Sequence, residues 1–250
     1  MLASGSKGNA VYVSDGTTSV LFDAGLSGKE MERRLTSRKI SPTSINAIVV
    51  SHEHSDHIQG VGVLARRYGI PVYINRQTHE AAKTTLKTIS ESIHFDCGYT
   101  FSINDMVIHP FSISHDARDP AGFTIQGRNA KLGIATDLGI ATAMVREHLK
   151  GCDILIVEAN HDRQMLTQGP YPWALKQRVK SRSGHLSNEE ARDLLADVAC
   201  EKLKHVILAH LSETNNTREK ALSVVDRALN GRKINLIVAR QECSSELIQV

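Results

Sequence analysis

The chain has 250 residues, 41% of them hydrophobic, with 30 Lys and Arg against 27 Asp and Glu for a formal net charge of +3. Such a length and apolar content supply a sizeable buried core and exclude a disordered or low-complexity chain. The small basic excess permits an anionic substrate without demanding one, and no apolar run approaches membrane-spanning length.

The first feature in chain order is the loop Ser4-Gly5-Ser6-Lys7-Gly8-Asn9. So little precedes it that either the coding start lies upstream of Met1 or the fold tolerates a very short first element. Strands are predicted at Ala10–Val13 and Ser19–Phe22, a helix at Gly28–Arg38, and a buried strand at Ala47–Val50. A helix at Ile58–Tyr68, a strand at Pro71–Ile74 and a helix at Gln77–Leu86 follow. Strands at Val107–Ile113, Gly122–Gln126 and Lys131–Ala135 come next, then a helix at Ala141–Leu149 and a strand at Ile154–Val157. The last third carries helices at Asn188–Cys200 and Glu213–Leu229 with strands at Val206–Ala209 and Leu236–Ala239. No repeat or linker interrupts this order, so one α/β unit over residues 1–250 is expected, with mixed sheets. Cys97, Cys152, Cys200 and Cys243 lie far apart without metal-type spacing and read as buried free thiols in a reducing compartment. No signal peptide opens the chain, so the cytoplasm is the expected location and no membrane partner is expected.

Chemistry concentrates just past the third strand, in Ser51-His52-Glu53-His54-Ser55-Asp56-His57. Imidazole and carboxylate are the side chains that bind first-row transition metals. In extended chain, residues two apart point the same way, so His52 and His54 can share one ion. Asp56 and His57, at the start of the next helix, can turn toward a second. Further donors stand at strand ends: His115 after Phe111-Ser112-Ile113-Ser114, Asp137 after Gly133-Ile134-Ala135-Thr136, and His210 after Val206-Ile207-Leu208-Ala209. Sites in α/β folds gather at such ends.

In order and approximate spacing these residues resemble the ligand motifs of the metallo-β-lactamase superfamily. Asp23, in Leu21-Phe22-Asp23-Ala24-Gly25, matches the second-strand signature of that family. The resemblance implies an αββα four-layer sandwich with its site along one edge. It implies one divalent ion on His52, His54 and His115, another on Asp56, His57 and His210, and Asp137 between them. Zinc suits the histidines and manganese the carboxylates. Leu2-Ala3-Ser4-Gly5-Ser6-Lys7-Gly8-Asn9, Ser114-His115-Asp116-Ala117, Glu158-Ala159-Asn160-His161-Asp162 and Ser183-Gly184-His185-Leu186-Ser187-Asn188 together look like the YycJ/VicX (WalJ) group. That likeness implies a 5′-to-3′ exonuclease acting on DNA.

Gly184-His185-Leu186-Ser187 is similar to the histidine motif of ribonuclease Z-type phosphodiesterases, where the histidine is a proton donor and an upstream carboxylate, here Glu158, orients it. The expected chemistry is attack on phosphorus by a metal-bridged hydroxide, with Asp56 orienting the nucleophile and His185 protonating the leaving oxygen. The alternative is a small-molecule hydrolase of the same fold, such as a thioesterase or lactonase. Ser6, Lys7 and Asn9 are candidates to hold a terminal phosphate, or else part of a glycine-permitted turn. Ser187 reads as a helix N-cap. His161 and Asp162 stand near Glu158, and Lys176, Arg178, Lys180 and Arg182 follow Tyr171 and Trp173 in a basic stretch that suits a nucleic-acid path or a solvated face.

Overall fold

The computed structural model describes residues 1–229 and 231–250. The chain forms two mixed sheets. The first holds β1 (Val11–Ser14), β2 (Ser19–Phe22), β3 (Ala47–Val49), β4 (Val72–Asn75) and β5 (Ser92–Phe95) in that order, antiparallel only between β1 and β2. The second runs from β6 (Phe101–Ile103) through β7 (Met106–Ser112), β8 (Ala121–Gln126), β9 (Lys131–Ala135), β10 (Ile154–Glu158) and β11 (His205–Ala209) to β12 (Asn235–Val238). It is antiparallel up to β9 and parallel beyond. The helices are α1 (Gly28–Ser37), α2 (Ser55–Ile58), α3 (Val61–Tyr68), α4 (Arg76–Leu86), α5 (Ala143–Leu149), α6 (Arg163–Gln168), α7 (Trp173–Lys180), α8 (Asn188–Val198) and α9 (Arg218–Leu229).

Alternation along the strands stacks these elements in layers. Val20 and Phe22 of β2 meet Ile156 of β10 and Ile207 of β11 in a core between the sheets. Leu21 faces the other way, into a core with Met31 and Leu35 of α1 and Leu64 of α3. On the opposite side Leu155 and Val157 of β10, with Val206 and Leu208 of β11, pack on Val145 of α5 and Leu194 and Leu195 of α8. Three cores separate four layers, the αββα sandwich expected from the motifs.

The boundaries depart from expectation where side-chain chemistry overrides apolar periodicity. The helix expected from Ile58 starts earlier, as α2, and breaks at Gly60, whose N–H bonds the Ala24 carbonyl. A Cβ there would collide with the Leu26 carbonyl, so only glycine lets the chain pass. The last long helix begins at Arg218 rather than Glu213, because Ser212 Oγ draws the Thr214 and Asn215 N–H groups into a turn. β5, β6, α6 and α7 carry too few buried residues to show a pattern. Ser187 caps α8 in a reciprocal capping box with Glu190, as read. Ahead of the first loop, Ala3 makes a one-residue antiparallel bridge to Ala10. Of the cysteines, all free, Cys152 is buried while Cys243 is exposed, so the expectation of uniformly buried thiols fails.

Arg34 ties the ends of the described chain to α1. Its guanidinium donates to the carbonyls of Leu2 at 2.7 Å and Gln241 at 2.9 Å and to Glu30 Oε1 at 2.8 Å, with only 6% of the side chain exposed. Arg34→Met leaves the Gln241 carbonyl without this partner and the Leu2 carbonyl with only Ser244 Oγ at 3.3 Å, and is expected to cost about 1–3 kcal/mol, read as a lower urea midpoint at unchanged slope. Hydrogen bonds from Arg33 and then Arg34 hold Glu30 at about 2, below its ordinary 4.5. Its contribution to stability is therefore complete above pH 4.5 and is lost as the pH falls from there toward 2.

Candidate metal centre and active site

Six strands deliver their carboxyl ends to one edge of the sandwich. Asp23 follows β2, His52 follows β3, His115 follows β7, Asp137 follows β9, Glu158 closes β10 and His210 follows β11. Three of these residues have left-handed backbone: Asp23 at φ 58°, Asp137 at 58° and His210 at 56°. Such conformations are uncommon and strained outside glycine and gather at functional sites. Each turns a side chain sharply off its strand end.

The donors expected from sequence come together. Ring nitrogens of His52, His54 and His115 lie within 4.8 Å of one another, as do donor atoms of Asp56, His57 and His210. Asp137 stands between these sets, with Oδ2 3.3 Å from His57 Nε2 and Oδ1 3.4 Å from His210 Nδ1. Asp56 Oδ2 is 3.6 Å from both His57 Nε2 and His210 Nε2. His52 Nε2, Asp137 Oδ2 and His210 Nε2 are buried without a hydrogen-bond partner among the described residues. Buried polar atoms are rarely left so, and imidazole and carboxylate lone pairs at this spacing fit divalent cations.

Electrostatics favours positive charge on His57 and His210 but not on His52. Burial, reinforced by His57, pushes His52 well below its ordinary value, leaving it neutral. Burial opposes charge on His57 and His210 as well, yet carboxylates outweigh it. Asp137 and Asp23 hold His57 well above its ordinary value, and Asp137, Asp56 and Glu158 hold His210 up at about 10. Against the burial penalty, His210 and His57 keep Asp137 well below the usual carboxylate range. Divalent cations compete with protons for these same lone pairs.

Glu158, wholly buried, is the hub of the second sheet's edge. Its Oε1 lies 2.9 Å from both His185 Nδ1 and His210 Nδ1. The Leu186 N–H donates to its Oε2 at 2.8 Å, and the Asp137 and Leu138 N–H groups donate at 3.3 Å. One carboxylate thus orients a candidate ligand, the backbone of another, and the histidine outside the set. Burial raises its pKa, but the paired histidines bring it down to about 2. His185 is 19% exposed, with His115 and His210 rings about it at 5.2 and 5.1 Å between centroids. Gly184 makes this placement possible, because a Cβ there would strike the Arg178 and Val179 carbonyls. Val179 in turn accepts from the His185 N–H.

Sequence reasoning assigned no role to several residues that hold these ligands. Asp23 Oδ2 sits 2.7 Å from His57 Nδ1 and accepts from Ser51 Oγ, fixing the ring that faces Asp137. Ser4 Oγ accepts from the His210 N–H, and Asn160 donates to the His210 carbonyl. A signal existed for Asp23, which ends an apolar strand as Asp137 does; Ser4 and Asn160 meet His210 only in space. Asp23→Asn is expected to weaken metal affinity about 10- to 100-fold, measured by competition with a chromophoric chelator.

The glycine loop divides. Asn9 is buried, its amide 3.1 Å from Asp56 Oδ2 and 3.0 Å from His57 Nε2, and its oxygen accepts from Gly5 N–H. Ser6 is exposed, and the exposed Lys7 pairs with Glu213 at 2.7 Å. His161 is buried and held at about 4, chiefly by burial, while Asp162 caps α6 and pairs with Lys220. No helix among the described residues is long and apolar enough to cross a membrane.

Four layers, donors at strand ends and paired ligand sets define a metallo-β-lactamase-fold protein. The family described as beta-lactamase superfamily domain matches residues 18–211, and the chain belongs to that superfamily, among relatives of the YycJ and WalJ type. It is 40% identical over 231 residues to "Exodeoxyribonuclease YycJ" of Bacillus anthracis, covering 92% of this chain and 88% of that one. Identity to "Exodeoxyribonuclease WalJ" of Streptococcus pneumoniae serotype 2 is 39% over 225 residues, covering 88% and 84%. The short form of human tRNase Z superposes with a TM-score of 0.67 over 99% of this chain and 97% of its own, at 16% identity, a likeness of fold.

Proposed function

We propose that the protein is a two-metal phosphodiesterase, a 5′-to-3′ exonuclease acting on DNA in the cytoplasm. The observation that carries this reading is Glu158 Oε1 shared between His210 and His185. It couples the candidate ion site to a partly exposed histidine outside the ligand set. A phosphodiester's alkoxide leaving group needs such a proton donor. The relatives named exodeoxyribonucleases support DNA as the substrate, and the group resemblance supports the direction.

His52, His54 and His115 would hold one ion, Asp56, His57 and His210 the other, and Asp137 would serve both. When bound, zinc or manganese supplies Lewis acidity and a water of lowered pKa. The chain's own residues do the rest. Asp23 and Ser51 hold the His57 ring, and Glu158 holds that of His210. With His185 Nδ1 engaged by Glu158, Nε2 is the nitrogen that carries a proton to the leaving oxygen. The free cysteines among the described residues suit a reducing compartment.

Linear DNA labelled at either end tests the reading. The metal-loaded protein is expected to release 5′-label as mononucleotide at once and 3′-label only late. Turnover of thioesters or lactones without DNA cleavage would contradict it.

A further inference from the structure

The segment from Arg163 to Ser187 holds Arg163, Lys176, Arg178, Lys180 and Arg182 and no Asp or Glu. The whole chain carries a net charge of +3, so this arm holds more positive charge than the protein as a whole and the remainder is slightly acidic. Lys176 and Lys180 each bond a neutral partner, the carbonyl and the hydroxyl of Thr167 at 2.8 and 2.9 Å. Those contacts brace α7 against α6 and leave both charges uncompensated. Arg178 reaches the site itself, pairing with Asp116 at 2.6 Å, whose other oxygen is 3.4 Å from His115 Nε2.

At the far end of α7 stands Trp173, 74% exposed. A tryptophan left in water forfeits a large apolar burial, and base-stacking platforms are a use that requires such exposure. Its place in the fold is specific. Val179, which accepts from the His185 N–H, lies six residues along the same helix, about 9 Å of helical rise. Arg163 of α6 is paired with Glu189 and Glu190, so the free charge of the arm lies on Lys176, Lys180 and Arg182. Resting on the phosphodiesterase reading above, we propose that Trp173 stacks a base of single-stranded DNA leading to the site, while these three cations follow its phosphates. The ligand is a single strand because a base inside a duplex has no free face to offer.

Trp173 is the only tryptophan, so protein emission reports on it alone. Metal-loaded protein is titrated with a phosphorothioate-linked oligothymidylate, which binds without being consumed. Saturable quenching is expected, with a midpoint matching the anisotropy of a labelled copy. Trp173→Ala is expected to weaken binding about five- to hundred-fold and Trp173→Phe to restore most of it. An unchanged thermal midpoint shows that the exposed substitution leaves the fold intact. Full binding by anisotropy without quenching, wild-type affinity in Trp173→Ala, or no binding of the single strand at all overturns the stacking role. Whether the wild type hydrolyses end-labelled DNA is read separately, so failure of the activity and failure of the platform are distinguishable.

Discussion

Asp137→Ala is expected to lose at least about 10³-fold in DNA hydrolysis together with its bound metal. The size follows from the several kcal/mol that metal ions contribute to stabilising charge in a phosphoryl transition state. Asp137 stands at the centre of the site because its two oxygens face different histidines, His57 and His210. It belongs to two of the donor groups, one with His52 and His57 and the other with Glu158, His185 and His210. Alanine removes the donor proposed to serve both ions, through His52 on one side and His57 and His210 on the other, and the main counter-charge of two buried imidazoles. Metal content by mass spectrometry of the dialysed protein should fall well below that of wild type, while far-ultraviolet circular dichroism stays unchanged. Full metal content with full activity would remove Asp137 from the centre.

Glu158→Gln and His185→Ala are expected to fail in different ways. Glutamine at 158 weakens the orientation of His210 and His185 at once, so metal affinity falls about 10- to 100-fold and activity falls with it. His185→Ala keeps every proposed ligand, so metal content should match wild type while kcat drops about 10²- to 10⁴-fold, the range of a general acid. Chelator competition and steady-state kinetics on the same preparations separate the two. Metal loss in His185→Ala would make it a ligand rather than a proton donor.

The sequence displayed much of this because the chemistry is local where it is densest. His52, His54, Asp56 and His57 fall within six residues, and Asp137 and His210 each follow a short, mostly apolar strand run. Such runs predict both the strand and the edge where its last side chain emerges. Glu158 and His185 were readable only as motif fragments; their shared contact with His210 needs the second sheet to be assembled. α6 and α7 escaped because their buried residues are only Leu166 and Val179, and their stability comes from the Asp162 cap and the Thr167 contacts instead. Asn9 shows the converse. Its loop reads as a phosphate cradle, yet the amide is turned inward onto Asp56 and His57.

On the proposed mechanism, the histidine tethered to the candidate metal edge, His185, is what suits that edge to phosphodiesters. Dependence on the leaving group tests this most directly. Wild-type and His185→Ala proteins, both metal-loaded, are compared on DNA and on a thymidine 5′-(p-nitrophenyl phosphate), whose leaving group departs without protonation. A large defect on DNA that shrinks sharply on the nitrophenyl ester is the predicted result. An equal defect on both substrates, or none on DNA, would contradict it.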